Sequence, residues 1–97
     1  MQNVKRIEII TDAVQLRDLL SLLEQRGVSG YSIFHHITGA GDRGEQRGDE
    51  LTGTSENVCV VTALPPDQAA EIVEALRPML KKRGGMCLVS DAQWVRH

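Results

Sequence analysis

NVCVVTAL, residues 57–64, is an almost unbroken apolar run. It has the length of a strand and is rich in β-branched residues. An apolar run of this kind reads as a strand buried on both faces, hence one in the middle of a sheet. Working outward from it gives the order of the remaining elements. Upstream lies GAGDRGEQRGDELTG, residues 39–53, with five glycines and six charges (Asp42, Arg43, Glu45, Arg47, Asp49 and Glu50). Loops longer than about 12–15 residues are uncommon in compact domains and are usually functional or disordered. A long flexible loop over about 40–56 is therefore expected to carry function.

Before that loop, GVSGYSIFHHIT, residues 27–38, reads as a second strand. Further back, Leu16, Leu19, Leu20 and Leu23 recur at helical spacing within 13–26. Thr11-Asp12 offers an N-cap and Gly27 a C-terminal stop. VKRIEIIT, residues 4–11, alternates, with Ile7 and Ile9 on one side and Arg6 and Glu8 on the other.

Downstream of 57–64, Pro65-Pro66-Asp67 opens a helix. Its apolar stripe is Ala69, Ile72, Val73, Leu76 and Leu80. Pro78 is expected to kink or thin its last turns. Lys81, Lys82 and Arg83 match the negative end of the helix dipole, and Gly84-Gly85 ends the helix. MCLVSD, residues 86–91, is a fourth strand, with AQWVRH, residues 92–97, a candidate short fifth. The resulting β-α-β-loop-β-α-β order predicts an α+β, ferredoxin-like βαββαβ sandwich: one antiparallel sheet with two helices on one face.

Ninety-seven residues make one domain. With a single Trp, Tyr and Phe, the core must be aliphatic. The bare sheet face then needs a cover, and another subunit is the simplest one. A net charge of −2 argues against a general nucleic-acid or membrane-surface role. No apolar run approaches a membrane span, and the N-terminal stretch has no signal-peptide core, so a cytoplasmic location is expected. Cys59 and Cys87 lack CxxC spacing and read as buried, reduced thiols.

Gly39-Ala40-Gly41 reads either as a flexible loop entry or as a concave backbone anion site at the loop's base, and the loop is read as closing over, or reporting on, a small anion held there. GAGDRG spells G-x-G-x-x-G, but no helix follows to receive a pyrophosphate, so the dinucleotide-fold reading fails. Arg43 and Arg47 could grip phosphate or a small oxyanion. Lys81–Gly85 reads either as a second phosphate-contacting turn or as an ordinary dipole-matched helix end. His35 and His36, adjacent on a strand, should point to opposite faces, which disfavours a shared metal. Thr54, Ser55 and Cys59 have no histidine at motif spacing, so no nucleophilic catalyst is argued. Trp94 reads as an anchor for the tail, with purine stacking the lesser alternative.

In linear order, Gly27-Val28-Ser29-Gly30-Tyr31-Ser32, Gly39-Ala40-Gly41, the strand 57–64, Pro65-Pro66-Asp67 and the stretch 82–91 resemble the PII signal-transduction superfamily over essentially the whole chain. That resemblance implies a non-enzymatic homotrimer with adenine nucleotides in clefts between subunits. It also implies that the long loop, the T-loop, engages a partner protein according to ligand. By position, Ser32 and Gly39-Ala40-Gly41 would line one wall of the cleft, and Gly84, Gly85, Met86 and Cys87 the other.

The chain departs from the family pattern in places. Arg47-Gly48-Asp49-Glu50 resembles the family's R-G-x-E stretch, but Gln46 precedes it and the only tyrosine is Tyr31, so tyrosine uridylylation of this loop is excluded. Met86 stands where a lysine usually opens the last strand, and only Arg96 and His97 remain near the family's two late arginines. These departures favour the PII-like branch linked to inorganic carbon. That branch implies ADP or AMP, with ATP less favoured, and bicarbonate near Arg43 or Arg47. It implies no resident cofactor, and a protein partner such as a bicarbonate transporter or carboxysome component. Two alternatives remain: a divalent-cation-tolerance-like trimer, and a small acylphosphatase-like enzyme, whose clamp arginine would fall on Phe34.

Overall fold

The computed structural model describes residues 1–39 and 56–97. Strand β1 (Gln2–Asp12) leads through a 3₁₀ turn (Ala13–Gln15) into helix α1 (Leu16–Gln25). Strand β2 (Ser32–Ile37) and strand β3 (Asn57–Leu64) follow, then helix α2 (Pro66–Arg83) and strand β4 (Met86–Trp94). The strands form one sheet in the order β2-β3-β1-β4, and every neighbouring pair is antiparallel. This is the ferredoxin-like arrangement the element order predicts. As expected, the run 57–64 is central: β3 lies between β1 and β2.

Period two along the strands decides which residues enter the core. Ile7, Ile9 and Thr11 of β1 lie opposite Thr62, Val60 and Val58 of β3, and all six are buried. Leu19 and Leu23 of α1, and Ala69, Ile72 and Leu76 of α2, close over this face. Each fully buried aliphatic side chain contributes roughly 1.5–3 kcal/mol over leaving it in water.

The opposite face carries Arg6, Glu8 and Ile10 of β1 and Cys59, Val61 and Ala63 of β3. Phe34 of β2 and Met86, Leu88 and Trp94 of β4 share it by register. Phe34, Met86, Leu88 and Trp94 are each about half exposed there. Arg6 and Glu8 pair with each other in its middle.

The ends of α1 show how the sequence sets local structure. Asp12 caps the 3₁₀ turn, its Oδ1 accepting from the Gln15 N–H at 3.2 Å. At the other end, the Val28 N–H donates to the Leu23 carbonyl at 2.9 Å and the Gly27 N–H to the Glu24 carbonyl at 3.1 Å. Gly27 sits at φ +86°, which completes a Schellman motif, and buried Val28 packs into the same core as Leu23.

Three expectations are corrected. The helix predicted from residue 13 begins with the 3₁₀ turn. The second strand starts at Ser32, because residues 26–31 are spent on the helix stop and the crossing to the sheet edge. Residues 92–94 extend β4 rather than forming a fifth strand, since β1 begins early enough for Gln2 to pair with Trp94. Helix α2 ends as expected, at Arg83 just before Gly84-Gly85, with Pro78 inside it.

Candidate functional site

Four segments meet at one end of the sheet: the end of β1, the end of β2, the start of β3 and the Gly84-Gly85 turn into β4. This is the base of the 40–55 segment, and it holds most of the predicted site residues the structure describes. Gly39 follows β2, and Gly84, Gly85, Met86 and Cys87 cross from α2 into β4. Ala40, Gly41, Arg43 and Arg47 lie outside the described residues, as do Thr54 and Ser55.

The glycine turn is built tightly. Gly84 and Gly85 have φ of +88° and +116°, a region L side chains rarely adopt. A Cβ on Gly85 would lie 2.6 Å from the Ile10 carbonyl oxygen and 3.2 Å from Leu80 and Thr11. The turn's own packing against β1 therefore already demands glycine at 85. The Gly84 N–H closes α2 by donating to the Leu80 carbonyl at 2.8 Å. Gly84 is buried, whereas Gly85 and Met86 face outward and Cys87 is half-buried on the helix side. Burial pushes the Cys87 thiol up from its ordinary value, against an opposing pull from Arg77. Cys59 moves the same way, through burial and then Glu8, opposed by Arg6. Both are protonated thiols at neutral pH rather than activated nucleophiles.

The stems of the 40–55 segment carry a feature the sequence reading missed. Phe34 pairs with Cys59 and Ile37 with Asn57, so His35 and His36 together oppose Val58: a β-bulge. His36 takes φ +61°, uncommon for a residue other than glycine. The bulge breaks the alternation that would have sent the two imidazoles to opposite faces, and their ring centroids lie 6.1 Å apart. The premise used against a shared metal thus fails locally. Even so, among the described residues no group of three or more metal-ligating side chains forms. His36 instead places Nδ1 2.9 Å from Glu56 Oε1, bridging the two stems.

Gln15 was also missed. It is buried, and with its amide oriented so that the oxygen faces the guanidinium, it accepts from both Nε and Nη2 of Arg83. A signal was present, since residue 15 lies one turn before Leu19 on the apolar stripe, where a polar side chain needs a partner.

Ser32 lies elsewhere. It opens β2, opposite Val61, while Gly39 follows the strand's far end. Seven residues of extended chain separate the two by roughly 20 Å. Within one chain, Ser32 therefore shares no wall with Gly39 or with Gly84–Cys87. It lines an open cleft of ≈ 600 Å³ at the opposite end of the sheet, with Val4, Arg6, Ser29, Ala63 and Trp94. Thr62 braces this end, its hydroxyl donating to the Gly30 carbonyl at 2.7 Å. Among the described residues, a Cβ on Gly30 would meet no atom within 4 Å. Trp94 ends β4 on the open face beside the cleft, half exposed.

Among the described residues no helix is long and apolar enough to cross a membrane. No curated protein matches the chain. Solved structures do. CPII, a nitrogen regulatory PII-like protein from Thiomonas intermedia K12 bound to ADP, AMP and bicarbonate, superposes with a TM-score of 0.80 at 23% identity, over 98% of this chain and 96% of that one. CPII bound to ADP and bicarbonate gives 0.82 at 26% identity, over 97% and 90%. A chain from Thermus thermophilus, assigned to the PII-like signalling proteins, gives 0.76 at 18% identity, over 97% and 90%. The family model of the nitrogen regulatory protein P-II matches residues 4–97. With the split βαββαβ sheet, the 40–55 segment falling between β2 and β3, and a family match spanning residues 4–97, the chain belongs to the P-II family.

Proposed function

We propose that this chain is a non-enzymatic, ligand-responsive regulator that acts as a homotrimer and binds ADP or AMP in clefts between its copies. One observation carries the reading. Each chain holds two half-sites at opposite ends of its sheet, roughly 20 Å apart. One is the glycine turn with the loop stems; the other is the open cleft at Ser32. A ligand of nucleotide size is enclosed only where the first half of one copy meets the second half of the next.

Three further features support it. Phe34, Met86, Leu88 and Trp94 give the open sheet face an apolar surface suited to a second copy. Among the described residues, nothing packs against Gly30 closely enough to require glycine, which suits close approach by a ligand or a neighbour. CPII, of the same fold, has been solved with ADP, AMP and bicarbonate. In this reading bicarbonate is a second ligand, held by Arg43 or Arg47 with the backbone of Gly39-Ala40-Gly41. The 40–55 segment then presents the ligand state to a partner protein, of which a bicarbonate transporter or a carboxysome component are the kinds proposed.

Isothermal titration with ADP, AMP, ATP and cyclic AMP, each with and without bicarbonate, tests this. One adenine nucleotide per subunit, bound more tightly with bicarbonate, is expected, together with a trimer in sedimentation velocity. Absence of binding by every nucleotide would sink the sensor reading and leave only family and fold.

A further inference from the structure

The Ala13–Gln15 turn sits between the parts of the loop-stem end. On one side, buried Gln15 accepts both guanidinium bonds of Arg83, the residue immediately before Gly84. On the other side, the Ala13 N–H donates to the Glu56 carbonyl at 2.7 Å, where the chain re-enters the sheet. Glu56 reaches across to His36 in the bulge of β2. Asp12 ties the turn to itself through the Gln15 N–H and pairs in the strand ladder with Asn57. An unbroken set of polar contacts therefore runs from the glycine turn to both stems of the 40–55 segment, and it passes through one three-residue turn.

We propose that Gln15 and Arg83 are positioning residues that make the Gly84-Gly85 turn and the two stems one mechanical unit. The inference rests on the ligand reading above only for its effect on binding. Its physical basis is independent. A charge-assisted bidentate pair to a buried acceptor is stronger and more directional than a neutral bond. Gly84 and Gly85, both in left-handed conformations, do not hold a turn rigid by themselves. The Arg83 anchor supplies that rigidity, and the contact of the Ala13–Gln15 turn with Glu56 passes it on to the stems.

Gln15→Leu removes the acceptor with no change of charge, at a site that a ligand cannot touch because it is buried. Arg83→Met removes the donor from the solvent side, where the core is untouched, and covers the case in which Gln15→Leu fails to fold. Hydrogen exchange on the full-length, ligand-free protein is the first readout. Both variants should raise exchange at least about tenfold at Gly84–Cys87 and at residues 56–57, and leave Val61–Leu64 at the far end unchanged. A simple loss of global stability would raise exchange at both ends.

Titration of ADP is the second readout, with an expected loss of affinity of about tenfold in both variants and partial rescue by Arg83→Lys. Exchange that rises only at Gly84–Cys87, or nowhere, overturns the link to the stems. Unchanged ADP affinity in Gln15→Leu, against a wild type that binds ADP, overturns the positioning role. A wild type that does not bind ADP defeats the nucleotide reading and leaves the exchange test standing.

Discussion

The two ends of the sheet are built on opposite principles. At the loop-stem end the chain satisfies itself. Gly85 is pressed against the Ile10 carbonyl, Gln15 holds Arg83, and His36 meets Glu56 across the stems. At the far end the chain stops short. Gly30 faces open space, Trp94 is half exposed, and a cleft of ≈ 600 Å³ stands open. One end is preorganised by internal contacts. The other is a surface waiting for something outside the chain. On the proposed reading, a site split this way gains from both, because the rigid half would fix where a ligand's charge sits and the open half would let assembly complete the enclosure.

The comparison can be broken most sharply at Gly85. Gly85→Ala combines left-handed strain with a Cβ 2.6 Å from a backbone oxygen. The expected cost is about 2–4 kcal/mol, read from urea denaturation. A loss below about 0.5 kcal/mol would mean the turn is not tight. The next largest effect is on assembly. Leu88→Asp puts a charge in the middle of the open apolar face and should convert the proposed trimer to monomer in sedimentation velocity. A persistent trimer would place the interface elsewhere.

Gly30→Ala sharpens the contrast with Gly85. With no atom within 4 Å of the added Cβ, chain stability should move by less than about 0.5 kcal/mol. Nucleotide affinity or trimer stability should fall instead. Equal losses of stability at Gly30 and Gly85 would erase the distinction between the two ends.

The smallest effect concerns the thiols. Burial holds the Cys87 thiol above its ordinary value, so the folded state keeps its proton where the unfolded chain has already lost it. The associated stability is fully present below about pH 8.5 and is lost as pH rises through the folded value. Alkylation of Cys87 by iodoacetamide should be slower in the folded protein than in urea at about pH 8.5, near the ordinary thiol value. Equal rates would show an open, ordinary thiol.

Much of the fold was legible because periodicity reports burial directly. The alternation of Ile7 and Ile9 with Arg6 and Glu8, the spacing of Leu16, Leu19, Leu20 and Leu23, and the unbroken run 57–64 each name a buried face with no need of a partner. Asp12 and Gly27 mark helix ends through local hydrogen bonding and a single backbone angle. The glycine turn at 84–85 was also readable as a special place, and the structure adds a packing reason for it, the contact of Gly85 with the Ile10 carbonyl. The bulge at His35-His36 was not readable. It arises from a one-residue mismatch between two strands, and register is a property of the pair rather than of either strand.

The sequence alone therefore determined the elements, their order, the aliphatic core and the segment most worth suspecting, since these follow from local propensity and from the hydrophobic pattern. Only the tertiary structure decided which residues stand together. It separated Ser32 from Gly39 by the length of a strand, joined Gln15 to Arg83 across 68 positions of sequence, and set His36 against Glu56. Contacts of that kind depend on how the sheet brings distant segments into register, and no spacing along the chain encodes them.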